Sequence, residues 1–190
     1  MRYLKLFRLF EGYSPLLDLK SNIDRDMIKK ISILRSHGDV LELACGNGSD
    51  AAELKRYGYN VTCVDNNQEY VDHVNGMGVK CLLHNIGDVL PFGDKLFDVV
   101  YSRFGLHYFT ENKLNEVFTE IFRVMKSGGY LVFTVKLAND IDTGKVILDE
   151  NKWIGISKDA GFDVISKDIK EGIQYGSHAR WLETICRKSI

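Results

Sequence analysis

From Asp39 onward, short apolar runs alternate with stretches whose apolar positions recur at helical spacing. The runs Val40–Ala44, Asn60–Val64, Val79–Leu83, Phe97–Tyr101 and Tyr130–Val135 predict strands. Between them, Ser49–Tyr57, Gln68–Asn75, Lys113–Met125 and Asn151–Ala160 predict helices. In Lys113–Met125 the apolar face is Leu114, Val117, Phe118, Ile121 and Met125. Ser127-Gly128-Gly129 predicts a turn out of that helix into the fifth strand. Phe162–Ser166 and Arg180–Cys186 predict two closing strands. Strands that alternate with helices form a parallel sheet covered on both faces, a doubly wound α/β fold.

Ahead of this region, Tyr3, Leu4, Phe7 and Phe10 recur at helical spacing, with Arg2, Lys5 and Arg8 on another face. Gly12-Tyr13-Ser14-Pro15 breaks the run. A second helix begins near Ser21 or Asn22 and carries Ile23, Met27, Ile31 and Leu34 as its apolar stripe. Residues 1–20 form either a lid, with Tyr13, Phe7 or Phe10 over a ligand, or a helix packed on the sheet edge. Membrane-surface contact through Arg2, Lys5 and Arg8 is a third reading, short and weakly charged. No repeat divides the sequence, so residues 1–190 read as a single domain.

Composition narrows the partners. The 190 residues are 45% hydrophobic and 27% charged with two prolines, which suits a packed core. Lysine and arginine number 25 against 26 acids, a net charge of −1. That balance sets up no field for DNA or an anionic membrane, and favours a small molecule or a peptide. Cys45, Cys63, Cys81 and Cys186 form no C-x-x-C pair. They read as buried free thiols in a reducing, cytoplasmic setting, with no metal site. Lys5 and Arg8 interrupt the apolar start, so it does not read as a signal peptide, and no run reaches membrane-spanning length.

The chemistry concentrates at strand ends. Val40-Leu41-Glu42-Leu43-Ala44-Cys45-Gly46-Asn47-Gly48-Ser49 runs from a strand through a Gly-x-Gly loop into a helix, the arrangement that receives a nucleoside. A dinucleotide loop has a third glycine and takes a pyrophosphate at its helix N-terminus. Here the third glycine is missing, and Glu42 would oppose a polyphosphate but suit a cationic ligand. S-adenosylmethionine (SAM) has that charge. Val61-Thr62-Cys63-Val64-Asp65-Asn66-Asn67 then ends a strand with an acid about twenty residues on, where a carboxylate accepts both ribose hydroxyls. The alternative for Asp65 is a local turn at the strand end. After the third strand, His84-Asn85-Ile86-Gly87-Asp88 offers Asn85 and Ile86 to a base, with Asp88 as the rival in another register. The strand Phe97-Asp98-Val99-Val100-Tyr101 ends in Ser102-Arg103-Phe104-Gly105-Leu106-His107-Tyr108 at the edge where doubly wound enzymes place chemistry.

Together, E-L-A-C-G-N-G, V-D-N-N, L-P-F with F-D-V-V-Y-S, and R-V-M-K-S-G-G-Y-L resemble, in order and spacing, the class I SAM-dependent methyltransferases over about residues 30–136. Ser127 stands where such proteins often carry proline. Within that superfamily the chain is similar to small-molecule enzymes of the tellurite-resistance and thiopurine type. The resemblance implies a Rossmann-like seven-stranded sheet of order 3-2-1-4-5-7-6 with the last strand antiparallel. It implies that Glu42, Ala44, Cys45, Gly46, Asn47 and Gly48 surround the methionine end of SAM. Asp65 would hold the ribose, and Asn66, Asn85 and Ile86 would frame the adenine. Ser102, Arg103 and Phe104 would border the sulfonium, and S-adenosylhomocysteine would be the product.

The acceptor is less legible. His107 has the pKa range of a general base, and equally reads as a capping or core histidine beside Tyr108. Tyr13, Arg103, Tyr108 and His178 join it as substrate-side candidates. Arg103 could bind an anion or pair with an acid. Arg180, Lys136 and Asp140 lie in loops at the same edge and read as solvated charges. The expected function is methyl transfer to a small molecule. The alternatives are a SAM-binding sensor or non-catalytic partner subunit, or transfer to a peptide or RNA. A dinucleotide oxidoreductase lacks its third glycine. A base-flipping methyltransferase would need an Asn/Asp-Pro-Pro-aromatic run after the fourth strand, where Ser102-Arg103-Phe104-Gly105 stands.

Overall fold

The computed structural model describes residues 24–137, 148–174 and 177–189. The expected helix around Tyr3–Phe10, the lid residues and Asp140 lie outside them. In chain order the elements are α1 (Arg25–Leu34), β1 (Asp39–Leu43), α2 (Ser49–Arg56), β2 (Asn60–Asp65), α3 (Gln68–Gly76), β3 (Lys80–Leu83) and β4 (Phe97–Arg103). A short 3-10 turn, Leu106–Tyr108, precedes α4 (Glu111–Val124), β5 (Met125–Lys136), α5 (Glu150–Asp159), β6 (Phe162–Gln174) and β7 (Ser177–Lys188). The sheet has seven strands in the order β3-β2-β1-β4-β5-β7-β6. β1 to β5 are mutually parallel, and β7 runs antiparallel to β5 and β6. This is the doubly wound architecture that the alternation predicts and the strand order that the family resemblance implies.

Each face of the sheet buries one apolar layer. Leu41, Leu43, Val100, Leu131, Phe133 and Val135 point to the face covered by α4 and α5. Val40, Val99, Tyr101 and Val132 point to the face covered by α1, α2 and α3. The predicted stripe of α4 is buried as read, with Leu114, Phe118 and Ile121 fully inaccessible. α1 begins later than its hydrophobic pattern suggests. Asp24 is its N-cap, its side chain accepting the Met27 N–H at 3.0 Å, and a capping carboxylate fixes a helix start more sharply than apolar spacing does.

Two boundaries differ from the sequence reading for physical reasons. The expected turn at Ser127–Gly129 is a bulge inside a longer β5. Phe97 pairs with Met125 and Val99 with Tyr130, so the intervening residues bow out. Gly128 takes φ 72°, and a Cβ on Gly129 would lie 2.8 Å from the Asp98 carbonyl oxygen. β6 and β7 extend far beyond Ser166 and back before Arg180, as a long antiparallel hairpin. The charges Lys167, Asp168, Lys170 and Glu171 suit an edge strand, where charged residues and a bulge (here at Ile165) discourage pairing with other chains. At the start of the central strand β4, Asp98 receives Arg35 at 2.6 Å and Lys126 at 2.7 Å, which fastens the end of α1 and β5 to β4.

Candidate functional site

The parallel strands β1, β2 and β4 end at one edge, and the loop Ala44–Gly48 lies across it. The loop is held by backbone strain and by hydrogen bonds from β2. Ala44, Gly46 and Gly48 all have positive φ, at 55°, 54° and 71°. The left-handed region costs a residue with a Cβ about 1–2 kcal/mol, so glycine suits the last two positions. Ala44 accepts that cost while its N–H bonds the Val64 carbonyl at 2.9 Å. The two glycines differ in their surroundings. A Cβ on Gly48 would sit 2.6 Å from Val74 Cγ2 and 2.9 Å from Met77 Cε, so this glycine lets α3 approach the loop. A Cβ on Gly46 would meet nothing within 4 Å among the described residues. The space over Gly46 is therefore open to a ligand that approaches the backbone.

Asp65, at the end of β2, is 6% exposed and ties the loop down. Its Oδ2 accepts the Gly46 N–H at 2.8 Å and its Oδ1 accepts the Asn67 N–H at 3.0 Å. Burial raises its pKa, and these backbone N–H groups oppose the rise. Each carboxylate oxygen has a second lone pair beyond the bond it already accepts. Both predicted roles thus meet in one side chain: the local turn is present, and acceptor capacity remains for a diol. Asn67 caps α3 by accepting the Glu69 N–H at 2.9 Å, and its neighbour Asn66 is exposed. Asn85 is exposed and accepts the Gly87 N–H at 3.0 Å. Ile86 turns its side chain into the core, so only its backbone faces the edge.

Glu42, on β1, is 3% exposed, and its Oε2 has no hydrogen-bond partner among the described residues. Burial first, then the nearby Asp50 carboxylate, push its pKa well above the ordinary glutamate range, with Arg103 opposing. Arg103 leaves the end of β4 and places its Nε 2.6 Å from Asp50 Oδ2. Asp50 is the second residue of α2 and is 2% exposed. It also accepts the Tyr101 hydroxyl at 3.2 Å and the Asp24 N–H at 2.8 Å. Asp50, Tyr101 and Asp24 were not singled out from the sequence. An acid in a helix first turn looks like ordinary dipole complementation, and its separation from Arg103 along the chain gives no local signal of the pair.

The remaining candidates fall into two groups. Ser102 and Cys45 are buried side chains. The Ser102 hydroxyl donates to the Leu43 carbonyl at 3.2 Å, and Cys45 Sγ lies 3.7 Å from Cys81 Sγ. The neighbouring thiols, and then burial, push Cys45 and Cys81 upward, and all four cysteines are free. Among the described residues no cluster could hold a metal ion. Asn47 folds onto its own loop, its Oδ1 accepting the Ser49 hydroxyl at 2.7 Å. The second group borders the edge from β4. Phe104 has φ 58°, its ring centroid is 6.0 Å from that of His107, and the His107 ring is 4.5 Å from Tyr108. Tyr108 is 69% exposed. A Cβ on Gly105 would lie 2.7 Å from Ala44 Cβ, so the β4 turn and the glycine loop touch. His178 occupies the second position of β7, in register with Ile173. Arg180 pairs with Glu171 at 3.1 Å. Tyr13 lies outside the described residues.

Residues 41–133 match the family described as methyltransferase domain. The chain is 30% identical over 145 residues to a demethylmenaquinone methyltransferase of Leptospira interrogans, which covers 71% of this chain and 52% of that protein. It thus spans about half the length of that curated relative. Among solved structures, a SAM-dependent methyltransferase of Methanosarcina mazei has a TM-score of 0.73 at 20% identity, over 85% of this chain and 97% of that one. The 1,6-didemethyltoxoflavin-N1-methyltransferase of Burkholderia thailandensis has a TM-score of 0.75 at 17% identity, over 99% and 89%. That structure holds 1,6-didemethyltoxoflavin and S-adenosylhomocysteine. At these identities the two structures share the fold.

Proposed function

We propose that this chain is a class I SAM-dependent methyltransferase that transfers the methyl group of SAM to a nucleophilic atom of a small-molecule acceptor. The observation that carries this reading is the open, left-handed Gly46 set directly against Asp65 within the matched region. Three features fit the cofactor. Gly46 gives its backbone face to the ligand. Asp65 keeps acceptor capacity for the ribose hydroxyls. Glu42 holds a buried carboxyl oxygen in want of a donor, which suits the cationic aminoacyl end. Asn66, Asn85 and the Ile86 backbone border the place for the adenine, and Ala44, Cys45, Asn47 and Gly48 shape the loop beneath. When bound, SAM supplies an electrophilic methyl on a sulfonium, so no further activation of the donor is required.

The protein's share is position and dryness. Orientation of an acceptor atom in line with the methyl contributes about 7–11 kcal/mol in favourable cases. Phe104, His107 and Tyr108 place three rings beside the loop, a wall suited to a flat acceptor. His107 is the group there able to take a proton from a hydroxyl or amine acceptor. Arg103, held by Asp50, serves structure first, and Ser102 supports the strand from below. The acceptors named for the relatives, demethylmenaquinone and 1,6-didemethyltoxoflavin, are small molecules, and this supports the acceptor class. Among the described residues no helix is long and apolar enough to cross a membrane.

The test is turnover. The full chain is incubated with SAM and a panel of quinol and nitrogen-heterocycle acceptors, and S-adenosylhomocysteine is measured. Acceptor-dependent product supports transfer to a small molecule. Tight SAM binding without product from any acceptor, peptide and RNA included, would leave the sensor or partner-subunit reading in its place.

A further inference from the structure

Two buried carboxyls, Glu42 and Asp50, face one guanidinium, and Asp50 has it. Arg103 Nε is 2.6 Å from Asp50 Oδ2, while Glu42 Oε2 is buried with no partner among the described residues. Among the described residues, the other groups that face Glu42 supply no positive charge. From β2 they are Cys63 and Asp65, from the loop Cys45, and from β3 Cys81. Tyr101 on β4 also faces Glu42 and bonds to Asp50, whose other acidic neighbour is Asp24 at the start of α1. The thiols are neutral, with Cys63 pushed up to about 11.

We propose that Asp50 is a positioning residue for the cationic end of the ligand. By holding Arg103 it keeps Glu42 as a neutral acid, which ionises when the ligand's ammonium group arrives. This rests on the reading that the loop receives the aminoacyl end of SAM. The proton balance is simple. The Glu42 O–H bond breaks, its proton leaves to the buffer, and the carboxylate oxygen then accepts an N–H from the ammonium. Burial and the Asp50 charge both favour the neutral form beforehand. Ligand affinity therefore rises with pH until Glu42 would ionise unaided, by the same linkage that couples protons to folding.

Calorimetry of the full chain tests this, with S-adenosylhomocysteine titrated at one pH in phosphate and in Tris, whose ionisation heats differ. The control ligand is 5′-methylthioadenosine, which keeps the nucleoside and thioether but has no aminoacyl group. S-adenosylhomocysteine is expected to release up to one proton and the control none. Asp50→Asn removes the like charge beside Glu42 and frees Arg103 to pair with it. Proton release should vanish in this variant, and affinity for S-adenosylhomocysteine should fall about tenfold toward that of the control. The infrared carbonyl band of a protonated acid should disappear when S-adenosylhomocysteine binds the wild type, and should be missing in Glu42→Gln. This reading needs no stable Asp50 variant. Binding without proton release or band loss, or unchanged release in Asp50→Asn, overturns the proposal and leaves the methyltransferase reading standing. No binding of S-adenosylhomocysteine overturns both.

Discussion

Asp65 Oδ2 accepts the N–H of Gly46 at 2.8 Å, so the acid that ends the second strand holds the loop that ends the first. The same carboxylate is the proposed partner of the ribose hydroxyls. Asp65→Ala would remove an ionised acceptor, worth about 1.5–3 kcal/mol per hydrogen bond to a charged group. It would also leave the Gly46 N–H without its partner. Affinity for S-adenosylhomocysteine should fall by at least about tenfold, measured by calorimetry. Asp65→Asn should fall short of full rescue, because one side of an amide donates instead of accepting. Unchanged affinity in the alanine variant removes Asp65 from the ligand.

The two loop glycines should separate stability from binding. Gly46→Ala meets open space and carries only the left-handed strain of about 1–2 kcal/mol. Gly48→Ala carries that strain and also presses on Val74 and Met77, where overpacking costs about a further 1–3 kcal/mol. In urea unfolding Gly48→Ala should be the less stable variant. In calorimetry Gly46→Ala should lose more ligand affinity per unit of stability lost, because its new methyl occupies the open face. The reverse ranking in both measurements would place the ligand elsewhere.

The pattern of apolar positions made the sheet legible because the strands from Val40 to Val135 are short runs rich in apolar residues, and the helices between carry a single apolar face. The loop was legible because Gly46 and Gly48 follow a strand and Asp65 ends the next one about twenty residues on, although Asp65 alone reads equally as a local turn. The Arg103–Asp50 pair was not, since nothing local in α2 distinguishes a buried acid from a solvated one. The outer half of the β6–β7 hairpin was also hidden. An edge strand half in solvent has polar residues on both faces, and Lys167 through Glu171 carry no alternation to read.

Two sets of acids should give the ligand-free protein opposing pH limbs. Asp98 is held below the ordinary aspartate range. Burial opposes this, but hydrogen bonds from Lys126 and the Asp39 N–H prevail. A depressed folded-state pKa means that its contribution is present above the unfolded value, near pH 3.9, and is lost as pH falls through the folded one. Glu42 is the reverse. Its folded-state pKa is raised, so stability is greatest below the unfolded value, near pH 4.3, and is lost as pH rises toward the folded one. Asp24 and Asp50, also raised by burial, act in the same direction. Tm measured against pH should therefore climb out of strong acid and then decline toward neutrality. Asp98→Asn should flatten the first limb and Glu42→Gln the second. A decline unaffected by Glu42→Gln would mean that Glu42 is ionised in the free protein.

His107 separates the cofactor side from the acceptor side. It sits in the 3-10 turn after β4, its ring 4.5 Å from that of the exposed Tyr108 and tilted 34° to it. If it takes a proton from the acceptor, His107→Ala should leave S-adenosylhomocysteine affinity within about twofold, since a group that makes no cofactor contact contributes no binding term there. Turnover with a protonated hydroxyl or amine acceptor should drop by about a hundredfold or more, the usual size of a general-base contribution. An acceptor that is already ionised needs no base, and its rate should change little. A large loss of cofactor affinity in His107→Ala would move the residue to the cofactor side. Equal losses for ionised and protonated acceptors would make its ring a packing surface for the acceptor, with no part in proton transfer.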